Sequence, residues 1–316
     1  MTKRQLTIIS GAGINIGISK ACPEATELMD FTYQKISKSV YRKVSEDIQR
    51  MFSPDSFDYI LGGLLTINLA IEKTKRDLKR FDMNEEAFAE IFMQSALEAS
   101  IADALKQIEQ SLRISLEQML GVVEKFQPAI EYLSNQYDSI NYFTLNFDRV
   151  FDHMLLGPKY RRTQYCTDFW TYKGVLDKNA DKKIKIFHLH GDLLYKPNKV
   201  TSYSENAYRW PVLVVGDQAV KRGTIASSPA LSFYNKRFAQ VCEAKGDYTE
   251  NNLAIIGFGF RKEDAHIITN IKKGINGKVF DNIYLFDIDN TLDGICDDYH
   301  WTKANEINLI DFLGKL

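Results

Sequence analysis

The strongest constraint on the fold is a single short strand followed by a long interruption. Gln5–Ser10 (QLTIIS) is a β-branched apolar run that stops at Gly11-Ala12-Gly13, as a buried parallel strand does when it ends in a tight turn. From about Glu24 to Asn135 the strand signal disappears. Helical patterns replace it over Phe31–Phe52, over Phe57–Phe81 after the Ser53-Pro54 start signal, and over Glu85–Phe126 after an Asn84 cap. Within the last of these, Leu97, Ile101, Leu105, Ile108 and Leu112 recur at helical spacing and form one apolar face that must pack. Strands return as Ser139–Thr144, Ile184–Leu189, Val212–Val215, Leu253–Ile256 and Ile283–Asp287, with helical patterns between several of them. The expected fold class is α/β: a doubly wound parallel Rossmann-like sheet interrupted by a large helical insertion. Residues 1–23 and 136–316 form the α/β domain in this reading, and 24–135 the insertion.

Charge and composition narrow the function. The 40 Lys+Arg and 41 Asp+Glu leave a net charge of −1, without the basic field by which nucleic-acid binders gather phosphates, so no direct nucleic-acid partner is expected. Ile60–Ile71 is the longest nearly apolar run. It is interrupted by Thr66 and Asn68 and is shorter than the roughly 20 residues of a spanning helix, so no membrane partner is expected either. The N-terminal apolar run is too short for a signal-peptide core, and the expected location is cytoplasmic. Cys22, Cys166, Cys242 and Cys296 stand singly with no CxxC pair, which leaves no local zinc ribbon or dithiol motif.

In a doubly wound sheet, ligands bind at the carboxyl ends of the strands. After the first strand comes GAGINIG, where glycines let a backbone approach a pyrophosphate; a plain tight turn explains it equally well. Its GxGxxxG spacing, with no acid-terminated second strand about 20 residues on, disfavours a hydride-transfer dehydrogenase. After Ser139–Thr144 come Asn146 and Asp148 at a helix start, where capping alone would account for either. After Ile184–Leu189 come His188, His190, Gly191 and Asp192, and period-two alternation puts both histidines on one strand face. After Leu253–Ile256 come Gly257, Gly259, Asp264 and His266.

Taken in order, GAG, TxNxD, HG and GFGF…DxHI resemble the sirtuin-like superfamily of NAD-consuming proteins. The likeness is nearest to a bacterial antiphage branch, represented by Thoeris effectors and by the sirtuin-like partners of HerA-type ATPases. It covers residues 5–20 and about 139–290. The resemblance implies an NAD glycohydrolase with His190 as general base, Asn146 positioning water or ribose, and Asp148 on the nicotinamide-ribose side. Gly11, Ala12 and Gly13 would face the pyrophosphate, with Gly257 and Gly259 near the adenosine half; Asn15, Gly191 and Asp264 complete the expected binding set. The resemblance also implies a homo-oligomer, or gating by a partner such as a HerA-type ATPase, because unrestrained NAD loss would harm the host cell. NAD is expected as substrate and no other cofactor.

Departures from the family bear on the chemistry. No cysteine occurs over Asp192–Gly216, where deacetylating sirtuins carry a zinc module, so zinc and acyl-lysine deacetylation are not expected. Asn15 and Gly259 replace hydroxyl residues common at those positions, and Asp192 replaces a small one. No role follows for His188, Asp192 or His266. Three rivals carry less. Asp287-Ile288-Asp289-Asn290-Thr291 matches a phosphatase nucleophile motif, but only 24 residues follow Leu292. The turn Asp289–His300 imitates a calcium loop without its last glutamate. His188, His190 and Asp192 could form a metal triad. A non-catalytic sensor or assembly module that binds NAD or an ADP-ribose derivative is the alternative function.

Overall fold

The computed structural model describes residues 3–22, 116–157, 183–191 and 213–316. The expected helices Phe31–Phe52 and Phe57–Phe81, the stripe Leu97–Leu112 and Asp192 lie outside them. Strand β1 (Arg4–Ser10) sends Leu6 and Ile8 to one buried cluster and Ile9 to another, the alternation of a strand covered on both faces. It is followed by α1 (Gly13–Ala21), α2 (Leu116–Gln136), β2 (Ser139–Thr144), α3 (Val150–Leu156) and β3 (Ile184–His188). Then come α4 (Gln218–Ser227), α5 (Pro229–Glu243), β4 (Glu250–Ile256), α6 (Ala265–Asn276), β5 (Asn282–Asp287), β6 (His300–Lys303) and α7 (Leu309–Leu313).

All pairings in the six-stranded sheet are parallel, in the order β3-β2-β1-β4-β5-β6. The order reverses between β1 and β4, and at such a switch point the connections leave to opposite faces and open a crevice. Helices α1, α2, α3 and α7 contribute to one core with Leu6, Ile8, Tyr142 and Ile186. Helices α5 and α6 contribute to the other with Ile9, Phe143, Phe187 and Ile255. The expected doubly wound α/β class is the observed one.

Register in the sheet is marked by buried amides. Asn141 Nδ2 donates to Gln5 Oε1 at 3.1 Å, and Gln5 Nε2 donates to Asn251 Oδ1 at 3.0 Å, which links β2, β1 and β4 side by side. Asn251 Nδ2 continues the row to the Val279 carbonyl at 3.1 Å.

Three local expectations are corrected. Helix α2 does not end at Phe126 but runs through Pro128 to Gln136. An interior proline costs about 3 kcal/mol; burying Phe126, Ile130 and Leu133 on the sheet, at roughly 1.5–3 kcal/mol each, outweighs it. Val122, Val123, Phe126, Ala129, Ile130 and Leu133 of this helix lie in the same cluster as Leu6, Ile8 and Ile140 of the sheet. Residues 213–215 are buried but pair with no strand among the described residues, and Val214 N–H instead donates to the His190 carbonyl at 2.8 Å. Strand β6, absent from the sequence reading, is a largely exposed edge strand without the apolar run that marks a buried one. No described helix is long and apolar enough to cross a membrane.

Candidate active site

The turn after β1 packs backbone against backbone. Gly11 N–H donates to the Ile256 carbonyl, Gly13 N–H to the Gly257 carbonyl and Ile14 N–H to the Gly11 carbonyl, each at 3.1 Å. A Cβ on Gly11 would meet the Gly257 oxygen at 2.7 Å, and one on Gly13 would meet the Gly257 Cα at 2.6 Å. Gly257 has φ +56°, and a Cβ there would overlap the Gly13 backbone and lie 2.6 Å from the Ile14 nitrogen. These glycines are thus required where the loops after β1 and β4 touch at the switch point. Two of these N–H groups are thus spent on the end of β4 and one within the turn; Ala12 is the turn's exposed member. Around Gly259 a Cβ would meet nothing within 4 Å.

The loop after β2 is fixed by its backbone and by the hydroxyl of Thr144. Ser10 Oγ donates to Thr144 Oγ1 at 3.0 Å, and Asn146 N–H donates to the same oxygen at 3.1 Å. Asn146 is buried, and it is its backbone N–H that these contacts engage. Asn15 Nδ2 donates to Asp148 Oδ2 at 2.9 Å, and Val150 N–H donates to Asp148 Oδ1 at 2.9 Å, so Asp148 starts α3 and also ties it to α1. Burial raises the Asp148 carboxyl above its ordinary value, opposed by those two donors. Asn15 Oδ1 is buried without a hydrogen bond among the described residues.

The structure separates the two strand histidines. His188 turns toward α3: its Nε2 is 2.9 Å from Asp152 Oδ2, and its Nδ1 is 3.2 Å from the Asn146 carbonyl. Both ring nitrogens face acceptors, so the buried His188 ties the Asn146 loop to Asp152 on α3. The strand ends at His188. Gly191, with φ +80°, returns its N–H to the His188 carbonyl at 3.1 Å and closes a turn that few other residues could adopt. His190 on that turn faces α6 instead. Its Nε2 lies 3.4 Å from His266 Nε2 and 3.7 Å from Asp264 Oδ1. The single-face arrangement expected for His188 and His190 is therefore not the observed one, because period-two alternation stops where the strand does.

Asp264 is engaged as well. Lys221 Nζ on α4 donates to its Oδ1 at 2.6 Å, and both residues are buried. Burial, then the Lys221 ammonium and the His266 ring, push His190 well below its ordinary 6.5. Burial also lowers His266, to about 4, with Lys221 and Arg222 adding to the shift and Asp264 opposing it. Both rings are neutral near pH 7.

The predicted residues thus fall into two groups along the carboxyl edge of the sheet: Asn15 with Asp148 beside α1 and α3, and His190 with Asp264 beside α4 and α6. Gly11, Gly13 and Gly257 lie at the switch point. The ring contacts of His190 run to His266 and Asp264, not to Asn146. Sequence reading did not find Lys221 or Asp152, since nothing local in QAVKRG or VFDHML marks a buried charge. No group of three or more potential metal ligands occurs among the described residues. An open groove of about 690 Å³ between α2 and the segment 306–315 contains none of the site residues. Cys22 and Cys242 are buried, and burial pushes the Cys242 thiol up to about 12, which leaves it inert. Asp287, of the phosphatase-like motif, accepts the Ile288 N–H at 2.7 Å in a turn after β5.

No known family model matches the chain, and no characterised protein matches it in sequence.

Proposed function

We propose that the protein is an NAD glycohydrolase that cleaves the nicotinamide–ribose bond to give nicotinamide and ADP-ribose. The observation that carries this reading is a neutral, buried imidazole, His190, at the carboxyl edge of a doubly wound sheet whose order reverses at a glycine contact. In the proposed reaction the C–N bond breaks toward nicotinamide, which leaves as a neutral base, while charge develops on the ribose carbon. Water adds to that carbon and gives its proton to His190, which is available because it is unprotonated at neutral pH. Asn146 orients the water or a ribose hydroxyl. The Asp148 carboxylate supplies negative charge beside the cationic sugar. In this proposal the activity is gated by self-association or by a partner ATPase, and its depletion of NAD serves antiphage defence.

A second reading rests on the direction of the His190 ring. Because that ring is held by His266 and Asp264, the same cleft could bind NAD or an ADP-ribose derivative as a sensor without turning it over. One experiment addresses both: chromatography of NAD incubated with wild-type, His190→Ala and Asn146→Ala protein, alone and with its genomic neighbour. The hydrolase reading expects nicotinamide and ADP-ribose from wild type, and at least a hundredfold less from either variant. Equal cleavage by His190→Ala overturns it, and nucleotide binding with no turnover under any condition selects the sensor.

A further inference from the structure

We propose that His266 and the Lys221–Asp264 pair are positioning residues for His190, holding the two imidazole rings in opposite tautomers and keeping the Asp264 carboxylate from drawing a second proton onto either. The effect on turnover rests on His190 being the base; the tautomer assignment rests on contacts alone. The His190 and His266 rings lie at 27° with centroids 5.4 Å apart, and their Nε2 atoms face each other at 3.4 Å. Two lone pairs would repel there and two N–H groups would collide, so the contact requires one of each. A neutral imidazole has a single N–H. One ring is therefore protonated on Nε2 and the other on Nδ1.

Burial is the first reason that neither ring takes a second proton, and the second is Lys221. It is only 4% exposed, although its helix is otherwise largely solvent-facing, and its ammonium lies on Asp264 Oδ1. That same oxygen is the one 3.7 Å from His190 Nε2. Released from Lys221, Asp264 would attract a proton onto His190 and turn it into an imidazolium with no lone pair to accept another. Among the described residues, the charged groups around the two rings are Lys221 and Arg222 from α4 and Asp264 from the turn before α6, so the local charge they set depends directly on Lys221.

Nitrogen-15 histidine spectra of the full chain as a function of pH test this without NAD. At pH 7 wild type should show His190 and His266 neutral, one as each tautomer. Lys221→Met should raise the His190 midpoint by about one pH unit or more, a tenfold gain in proton affinity, while Lys221→Arg should leave it unchanged. His266→Gln, whose carboxamide offers either a donor or an acceptor, should release His190 into a mixture of tautomers. The same tautomer in both rings, a protonated His190 at pH 7, or an unmoved midpoint in folded Lys221→Met overturns the proposal. If Lys221→Met does not fold, the wild-type tautomers and His266→Gln still decide. A protein that passes these tests yet leaves NAD intact removes the hydrolase reading alone. In an active protein, the acid limb of kcat/KM should move upward with the midpoint in Lys221→Met.

Discussion

Replacing Gly257 with alanine should be among the most destabilising single-methyl changes available in this protein. The residue sits at φ +56°, where an L side chain costs roughly 1–2 kcal/mol. Its new Cβ would also lie 2.5 Å from the Gly13 Cα and 2.6 Å from the Ile14 nitrogen, all backbone, so no side chain can swing away. Forcing β1 and β4 loops apart to admit it adds about 1–3 kcal/mol by analogy with overpacked cores. The sum, about 2–5 kcal/mol, is a large fraction of the ~5–15 kcal/mol that holds a typical domain. Gly259→Ala is the control, since its Cβ would meet nothing within 4 Å and its expected change is within about 0.5 kcal/mol. Urea unfolding of both variants, compared by midpoint at constant slope, measures the difference. Equal midpoints for Gly257→Ala and wild type would mean that the glycine contact at the switch point is not the structural joint argued above.

Two further outcomes follow from the buried charges. His188→Leu removes the partner of Asp152 and should cost about 3–5 kcal/mol in urea unfolding, whereas the double variant with Asp152→Leu should recover most of the loss; an additive double variant would refute a direct pair. Stability should also fall with acid. His266 and His190 both have folded values depressed below 6.5, so their contribution is complete above pH 6.5 and is lost as the pH drops; for His266 the loss runs down to about pH 4. Over that window His266 alone accounts for up to about 3 kcal/mol, and thermal unfolding between pH 7 and 4 would count against it if the stability of wild type and His266→Gln changed in parallel.

The sheet was legible where its strands are buried on both faces. The expected strand Ser139–Thr144 matches the observed bounds and Ile184–Leu189 matches to within one residue, because short β-branched and aromatic runs between turn residues admit few other readings. His300–Lys303 was not legible, since an exposed edge strand has no apolar period to detect. The helical pattern read to Phe126 extends through Pro128 to Gln136, because tertiary burial overrides the proline. At the candidate site, Asn146 and Asp148 follow β2, His190 follows β3 and Asp264 lies in the turn before α6, an order that follows from chain topology alone. That order could not show that His190 turns from His188, or that Lys221 reaches Asp264 from 43 positions away. Those facts depend on where a turn closes and which helix faces it, and neither is encoded in neighbouring residues.

The row of amides through Asn141, Gln5 and Asn251 has a consequence for how this chain can vary. Its members are 136 and 246 positions apart, so no hairpin loop sets how the first strand lines up with its neighbours. Sliding either neighbour by one place would send an amide into the opposite greasy layer and strand its partners. Alignment is thereby specified by the strands themselves, and the length of the segment looped out between them is left at liberty to change without misthreading the sheet.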